Sequence, residues 1–456
     1  MLLHRRSMFA WSVALLVGST PLRSNAAETT YSLAFRPQAG ETTSVKISLK
    51  VGGDLRLAQG GKVSTVPMSV EATQAYEEQV LAVDKTATGI ARAARYYDEA
   101  SAVIKVDKGG EKPALPADRR LLAVDVALPR ANFYSPEQPL VREQLELVDV
   151  PGNSLLFNAL LPSERVARGS AWKHADNLLA GLLGLDAISL NECQSTLTDV
   201  KDGLAKCSLE GTVRGAVEGV SSELEIKARY DYSLTQKRIT WFALLIKENR
   251  SVGHIGPGLD VVAKLIVTVT PMAKPQRLVP AELAKLPKNP SPELTRLTFT
   301  NPNQFRLAYD RNWHITSADP TVTVLRMIDR GELVAQCNIS PLPPRTADKP
   351  LTLAEFQGDI QKSLGDNFGK FDSGAESSTV TGRSTLRVSV RGTVSQLPVQ
   401  WIYYHVTSPD GRCISLAFTL DNDLVDRLGE ADLALTAGLQ FLSPTDTAAQ
   451  QPTLAR

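Results

Sequence analysis

Side chains that could do acid–base, metal-binding or nucleophilic chemistry are few and widely spaced in this chain. Beyond the first 26 residues the histidines are His174, His254, His314 and His405, and no two of them have the spacing of metal ligands on one element. No H-E-x-x-H, G-x-S-x-G or Walker sequence is present, and these are the common signatures of metalloproteases, serine hydrolases and nucleotide-binding proteins. We therefore predict no catalytic, cofactor-binding or metal-binding residues and no enzymatic activity. The alternative is a hydrolase in which His314 or His405 meets an acid from a distant part of the chain.

One group of aromatic residues has the spacing of a shared strand face. Trp401, Tyr403 and His405 alternate along a strand-like run, and residues two apart in a strand point to the same side of a sheet. One hypothesis is a ligand-binding face formed by these three residues, with Trp313 and His314 near them. The alternative is hydrophobic core, which is the usual role of aromatic residues in strands.

The chain has four cysteines, none of them in a C-x-x-C pair: Cys193, Cys207, Cys337 and Cys413. In an oxidising compartment the better candidate for a disulfide is Cys337 with Cys413, because both lie in strand-like runs. The alternative is that the cysteines are small core residues. Cys193 and Cys207 are harder to join, since a hairpin turn near Asp202 would place Cys207 opposite Leu197.

The first 26 residues have the pattern of an export signal. Basic residues (His4, Arg5 and Arg6) precede an apolar run from Met8 to Val17, and small residues follow at Ser24 and Ala26. We predict cleavage after residue 26 or 27 and export to the periplasm or the outside of the cell. The alternative is an uncleaved anchor. No second apolar segment of spanning length follows, so no transmembrane segment is expected after cleavage.

Composition limits the partners that the chain can have. Its 50 basic and 49 acidic residues give a net charge of +1, and no block of like charge occurs along the chain. This balance does not favour binding to nucleic acid or to an anionic membrane. The length of 456 residues predicts two or three domains.

A change of composition divides the chain. Six prolines fall within residues 271–292, a density that is incompatible with sheet or long helix and typical of a linker. The predicted division is a signal peptide (1–26), a β-rich domain (27–270), a proline-rich linker (271–292), an α+β domain (293–442) and a disordered tail (443–456).

Alternating hydrophobicity predicts the elements of the first domain. Apolar and charged residues alternate from Glu223 to Leu234, which indicates a strand with one buried face, and residues 239–246 return as its hairpin partner. Alternation from Val45 to Val51 ends at two glycines, Gly52 and Gly53, and predicts a hairpin turn there. We expect a curved antiparallel sheet whose open side is closed by a leucine-rich helix within residues 175–185.

The second domain has the pattern of strands with a helix between hairpins and another helix at the end. Strands are predicted at 322–328 and 333–339, and Thr352 with Glu355 forms a capping box that begins a helix. A last helix is predicted from about Leu424 to Phe441. This order of elements favours an α+β sandwich, and the fold class expected for the whole chain is therefore α+β.

Four segments of the second domain resemble the PsbP-like fold, which includes extrinsic photosystem subunits and a Ran-binding nuclear-transport factor. They are the run 305–313, the helix start at 351–356, the Tyr403–Tyr404 strand and the Pro409–Arg412 hairpin. The resemblance covers about the last third of the chain. It implies an antiparallel sheet with flanking helices that acts as a binding or assembly surface. The first domain is similar only in outline to the curved sheets of periplasmic lipoprotein carriers.

These observations predict an exported, non-catalytic binding or assembly protein of the bacterial cell envelope, without a cofactor. Its partner is unknown, and an envelope protein or an apolar small molecule would fit. The alternatives are a periplasmic carrier of hydrophobic ligands and the hydrolase described above. An apolar concavity without catalytic groups would favour the carrier, and a pocket that joins histidine, carboxylate and nucleophile would favour the hydrolase.

Overall fold

The computed structural model describes residues 29–59, 62–86, 88–253, 256–301, 304–346, 349–380 and 382–442. The predicted signal peptide, the predicted disordered tail and His254 lie outside these residues. Within them, 56% of residues are in strands and 15% are in helices. No helix in this part of the chain is both long and apolar enough to cross a membrane.

The N-terminal half is built on one large antiparallel sheet. In chain order its strands are β1 (Thr30–Tyr31), β2 (Thr42–Gln59), β3 (Lys62–Val83), β4 (Ile90–Val106), β5 (Gly109–Glu111), β6 (Leu121–Ala127), β7 (Arg130–Tyr134), β8 (Val166–Ala167), β9 (Ala171–Lys173), β10 (Ala187–Asn191), β11 (Gln194–Lys201), β12 (Leu204–Val217), β13 (Val220–Ser233), β14 (Arg238–Arg250) and β15 (Gly258–Met272). Strands β1 and β8 pair with each other. The other thirteen form the sheet, in the order β7-β6-β4-β3-β2-β15-β14-β13-β12-β11-β9, with β10 on β12 and β5 on β4.

The alternating pattern of β13 is confirmed as a half-buried strand. Its residues from Val220 to Ser233 alternate between buried and exposed over most of their length, and β14 is its hairpin partner. We call the side that carries the buried residues the inner face of the sheet. The hairpin turn predicted near Asp202 placed Cys207 opposite Leu197, and the two residues are paired in β12 and β11.

The hairpin predicted at Gly52 and Gly53 is wrong. Strand β2 continues through both glycines to Gln59 and pairs there with β3 and β15. Gly53 has φ of +150°, and a Cβ at this position would lie 2.2 Å from the carbonyl oxygen of Asp260. The glycine is therefore needed for the close approach of β15, and a turn is not the reason for it.

Helical segments cover the inner face, namely α1 (Arg142–Val148), a 3₁₀ turn (Ser154–Leu160) and α2 (Asp176–Leu183). We call residues 142–160 and 176–183 together the cover segment. The predicted leucine-rich helix is α2, and its leucines are buried against the sheet in the main hydrophobic core: Leu178, Leu179, Leu182 and Leu183. The phenyl rings of Phe157 and Phe242 lie 4.7 Å apart between the cover segment and β14.

The proline-rich stretch contains two short helices, α3 (Pro280–Leu283) and α4 (Pro292–Thr295). It lies against the outer side of β3, where the carboxylate of Glu77 accepts hydrogen bonds from the backbone N–H groups of Gln276, Arg277 and Leu278. Buried side chains from both sides of this stretch belong to one core cluster. The domain boundary at 271–292 stays a prediction.

The C-terminal half contains two antiparallel sheets. Its strands are β16 (Leu297–Asn301), β17 (Phe305–Tyr309), β18 (Trp313–Ala318), β19 (Thr323–Asp329), β20 (Glu332–Leu342), β21 (Phe368–Ser378), β22 (Ser384–Val394), β23 (Leu397–Thr407), β24 (Cys413–Asp421) and β25 (Leu439–Phe441). Seven form the sheet β18-β19-β20-β24-β23-β22-β21, and three form β16-β17-β25. Its helices are α5 (Leu353–Leu364), α6 (Val425–Leu428) and α7 (Ala431–Ala437). The predicted capping box of α5 is present, with the Glu355 N–H donating to Thr352 Oγ1 at 3.2 Å.

The predicted α+β class is wrong for this chain, because its architecture is mostly antiparallel β with several sheets and short peripheral helices. The last predicted helix shows the reason. The chain from 424 to 441 is divided into α6, α7 and strand β25. At Gly438 a Cβ would lie 2.0 Å from the carbonyl oxygen of Ala308, so this close approach ends α7 and brings the next residues into register with β17. Tertiary pairing thus outweighs a local helical pattern.

Candidate functional site

The predicted ligand-binding face of β23 is packed under α5. Trp401 and His405 are 7% and 5% exposed, and the rings of Phe356 in α5 and His405 lie 6.0 Å apart, edge to face. Ile360 of α5 belongs to the same cluster as Val388 and Val390 of the neighbouring strand β22, with Tyr403 packed against it. In this state the face is the apolar layer between a helix and a sheet.

The structure does not bring Trp313 and His314 to that face. Trp313 packs edge-on against Phe418, whose ring also contacts Tyr404 on the opposite side of β23. His314 points away to the N-terminal half, where its Nδ1 lies 3.2 Å from Glu218 Oε1 in the turn between β12 and β13. The five predicted ligand residues therefore fall into three separate environments.

His405 borders open space. Two clefts, of about 460 and about 600 Å³, lie beside it. Both are lined by Arg345, Thr346, Leu351 and His405. Burial, together with the charge of Arg345, lowers the pKa of His405, so its imidazole is neutral near pH 7.

The predicted Cys337–Cys413 disulfide is not formed, and all four cysteines are free and buried. In the ladder between β20 and β24, Cys337 lies opposite Phe418 whereas Cys413 lies opposite Leu342. At about 3.3 Å per residue along a strand, this offset separates the two cysteines by roughly 17 Å. A disulfide requires Cα atoms closer than about 7 Å.

The hydrolase alternative finds little support in the arrangement of polar groups. The Nε2 of His174 lies 2.8 Å from the hydroxyl of Ser195, but Ser195 is completely buried and cannot meet a substrate. Burial lowers the pKa of His174 to about 4. Across the described ranges, no hydrogen-bonded group joins a histidine, a carboxylate and an exposed nucleophile, and no cluster of three or more His, Cys, Asp or Glu residues could hold a metal ion.

A buried polar cluster that sequence reasoning missed ties the cover segment to the sheet. Arg95 on β4 is 1% exposed, and its Nε donates to Glu78 Oε2 on β3 at 2.8 Å. Its Nη2 donates to Asn153 Oδ1 at 2.6 Å, and the hydroxyl of Ser154 donates to Glu78 Oε2 at 2.9 Å. We call these four residues the polar latch, because two belong to the sheet and two to the cover segment.

Aromatic rings enclose the polar latch. The guanidinium of Arg95 lies 4.6 Å from the ring centroid of Tyr76 and 5.3 Å from that of Phe133, distances typical of cation–π contacts. The sequence does contain a signal for it. Arg95 is spaced two residues from Ala93 and from Tyr97, and Glu78 two from Tyr76, so both charged residues occupy inward positions of their strands.

Beside the polar latch lies a small space, lined by both apolar and polar residues, that we call the inner cavity. Its volume is about 40 Å³, and its apolar lining comprises Val80, Ile90, Leu155, Phe157, Ile239 and Val269. Glu78 and Ser154 of the polar latch also line it. The space is too small for anything but water while the cover segment is in place.

An open cleft of about 530 Å³ adjoins the inner cavity, and we call it the rim cleft. The two spaces share Phe35, Glu41 and Arg238 as a common wall. In this wall Arg238 Nη2 lies 3.3 Å from Glu41 Oε2, and its guanidinium lies 5.5 Å from the Phe35 ring centroid. The rest of the rim cleft comes from residues before β2 and from the β13–β14 turn.

Comparison with known proteins identifies no family. No family model and no curated protein matches this chain. Among solved structures, cyanobacterial PsbP from Synechocystis sp. PCC 6803 aligns with 16% identity over 32% of this chain and 91% of its own, at a TM-score of 0.26. The translocator domain of the autotransporter NalP from Neisseria meningitidis aligns with 9% identity over 84% of this chain and 88% of its own, at a TM-score of 0.13. A loop-deletion mutant of OmpT, an outer membrane protein of Vibrio cholerae, aligns with 7% identity over 83% of this chain and 99% of its own, at a TM-score of 0.12. TM-scores this low establish neither a fold nor a function.

Proposed function

We propose that this protein is an exported, non-catalytic binding protein of the bacterial cell envelope that carries an apolar small molecule on the inner face of its N-terminal sheet. The observation that carries the proposal is the polar latch. It fastens a separable cover over an apolar sheet face, and the inner cavity beside it adjoins an open cleft. A ligand would take the place of the 3₁₀ turn in the cover segment.

The local hydrogen bonding of the 3₁₀ turn makes this exchange reasonable. Backbone hydrogen bonds within this turn are short-range, such as that from the Leu156 N–H to the Asn153 carbonyl. Polar contacts with the sheet come from side chains of the sheet. Besides the latch, the Tyr76 hydroxyl lies 3.2 Å from the Ser154 hydroxyl, and Trp172 Nε1 at 2.8 Å and the Tyr230 hydroxyl at 3.5 Å donate to the Leu160 carbonyl. Geometry in 3₁₀ turns is poorer than in α-helices, so this part of the cover is the weakest part of the layer.

The polar latch can open without leaving a charge unpaired. Glu78 and Arg95 both belong to the sheet and form an ion pair of 2.8 Å with each other. If Asn153 and Ser154 move away, this pair stays together, and the hydrogen bonds that are lost are those from each charged group to a neutral side chain. Burying a ligand chain where Leu155 and Phe157 now lie would exchange one apolar contact for another, which has little net cost in hydrophobic free energy.

The absence of catalysis in this proposal rests on the chemistry of the same cluster. Ser154 and Thr43 bring hydroxyl groups to the lining of the inner cavity, and Glu78, the partner of Ser154, is ion-paired with Arg95. Among the described residues no histidine lines the inner cavity, so neither hydroxyl has an imidazole base beside it. The site therefore favours binding over acyl transfer.

The experiment is a binding titration with the neutral fluorescent probe N-phenyl-1-naphthylamine. We expect saturable enhancement of fluorescence at one site per folded chain. Native mass spectrometry of protein recovered from its host should show a mass excess that is lost on denaturation, and the denatured mass should correspond to cleavage after residue 26 or 27. Absence of saturable probe binding by the folded protein would contradict the proposal.

A further inference from the structure

We infer that the ligand is a single-chain amphiphile with an anionic headgroup, and that the rim cleft binds the headgroup while the inner cavity receives the start of the chain. This inference rests on the proposed function and names the chemical class of the ligand. It is carried by the charges of the rim cleft and by the wall that the cleft shares with the inner cavity.

The rim cleft has more positive than negative charge. Arg36, Lys237 and Arg238 line it, and Glu41 is its one acidic residue. Arg238 is ion-paired with Glu41. Within the residues that the structure describes, Arg36 and Lys237 have no carboxylate within ion-pair distance, and both are exposed. Two cations are therefore free to bind an anion.

The Arg238–Glu41 pair is itself incompletely bonded. Its side chains are 14% and 30% exposed, and the Nε of Arg238 and Oε2 of Glu41 are buried without a hydrogen-bond partner in the described structure. The spare donor of Arg238 lies in the wall between the two spaces. A carboxylate or phosphate oxygen at the wall would satisfy it.

The two spaces impose an orientation on such a molecule. On the inner side the sheet contributes the apolar side chains of Val80, Ile90 and Val269. The two acids of the lining are both paired, Glu78 with Arg95 and Glu41 with Arg238. An anionic group moved inward would be desolvated beside Glu78, whereas at the rim it faces Arg36 and Lys237 in water-accessible space. The chain therefore points inward and the headgroup stays at the rim.

The test measures displacement of N-phenyl-1-naphthylamine by dodecanoate and by dodecan-1-ol, both below their aggregation concentrations. The two have chains of the same length and differ in headgroup charge. The variant carries Arg36→Glu and Lys237→Glu. The control carries Lys105→Glu and Lys108→Glu, the same charge change at the far ends of β3 and β4, where Val106 pairs with Met68. All four side chains are exposed, so both variants are expected to fold.

We expect the ratio of dodecanoate to dodecan-1-ol affinity to fall by about tenfold in the rim variant, since two attractive charges are lost and each reversal adds repulsion. The ratio should not change in the control. Tighter binding of dodecyl phosphate than of dodecanoate would identify a phosphate headgroup, and the reverse order a carboxylate.

The two proposals fail in different ways. If the wild-type protein does not bind the neutral probe, the carrier function is wrong. If both variants bind the probe as the wild type does and the dodecanoate ratio is equal in all three, the carrier function stands and the anionic headgroup is overturned.

Discussion

Two sheet faces in this molecule are covered by helical segments, and they are held in different ways. Helix α5 lies on the β23 face through apolar contacts around Ile360, and no ion pair joins the two among the described residues. The cover segment lies on the inner face through apolar contacts and the polar latch. Buried charges are costly. Their presence under the cover segment, and not under α5, indicates that the cover segment must occupy one specific position on the sheet.

The two covers also differ in the partners that satisfy their polar groups. Helix α5 satisfies its own N-terminus with the Thr352–Glu355 capping box and needs nothing polar from the sheet. The 3₁₀ turn of the cover segment depends on Arg95 and Glu78 of the sheet for its Asn153 and Ser154 side chains. We therefore expect α5 to be a permanent part of the core and the cover segment to be an exchangeable one.

The largest effect is expected from Arg95→Ala. This change leaves Glu78 buried without a counter-charge, and it should lower the free energy of unfolding by about 3–5 kcal/mol. The matched control is Arg92→Ala on the same strand, whose ion pair with Asp125 is partly exposed and should contribute about 0.2–1 kcal/mol. Urea unfolding measures both, and equal losses would show that the latch is not an energetic feature.

Truncation of one buried side chain in each cover should distinguish the permanent cover from the exchangeable one. Ile360→Ala and Phe157→Ala should each lower the free energy of unfolding by about 2–5 kcal/mol. Only Phe157→Ala should also increase the affinity for N-phenyl-1-naphthylamine, because it widens the inner cavity. An equal increase for Ile360→Ala would mean that the β23 face is the binding surface.

Acid should destabilise the N-terminal half through His174. Burial lowers its folded-state pKa from 6.5 to about 4. The unfolded chain therefore binds the proton more readily, and stability that is fully present above about pH 6.5 is lost as the pH falls toward 4, by about 3 kcal/mol.

His174→Gln should flatten this part of the stability profile, which urea midpoints at pH 4.5 to 7.5 would measure. His405 in the C-terminal half shifts in the same direction through burial and Arg345, so His405→Gln should flatten it as well. If the dependence of stability on pH were unchanged in the His174 variant, His174 would not be a source of the acid destabilisation.

The smallest effect is expected from Asn153→Ala. It removes the hydrogen bond from the Arg95 guanidinium, which is worth about 1.5–3 kcal/mol in a buried site, and the weaker one from the Leu155 N–H. It should raise the rate of probe binding because the latch opens more often. Asn249→Ala is the matched control, since Asn249 accepts a hydrogen bond from Arg56 at 2.9 Å on an exposed part of the sheet. Stopped-flow fluorescence would show the difference, and equal rates would mean that the latch does not limit access.

Periodicity predicted much of the secondary structure in both halves. The half-buried strand β13, the capped helix α5 and the leucine-rich helix α2 follow from local patterns, because burial on one side imposes a period on the residues themselves. Predictions from local periodicity failed at Gly53 and Gly438. At both positions the backbone of a strand distant in sequence approaches closely, and the neighbouring residues carry no signal of that contact.

The candidate site was less accessible to sequence reasoning than the fold. The spacing of His405 on a strand predicted a ligand-binding face with Trp313 and His314 near it, yet these three residues lie in separate environments. The residues of the polar latch come from positions 78, 95, 153 and 154, and their types are common in any sequence. The inward spacing of Glu78 and Arg95 was the available signal, and it concerned burial only.

By itself the sequence determined where one face of an element would be buried, because hydrophobic spacing and capping residues act within a few positions of each other. Which cover lies on which face was decided by the tertiary structure alone. Three features join segments that are separated in the chain. They are the ion pair of Glu78 with Arg95, the hydrogen bond from Arg95 to Asn153, and the wall formed by Phe35, Glu41 and Arg238. Their energies depend on distance and burial, and these quantities exist only after the sheet has formed.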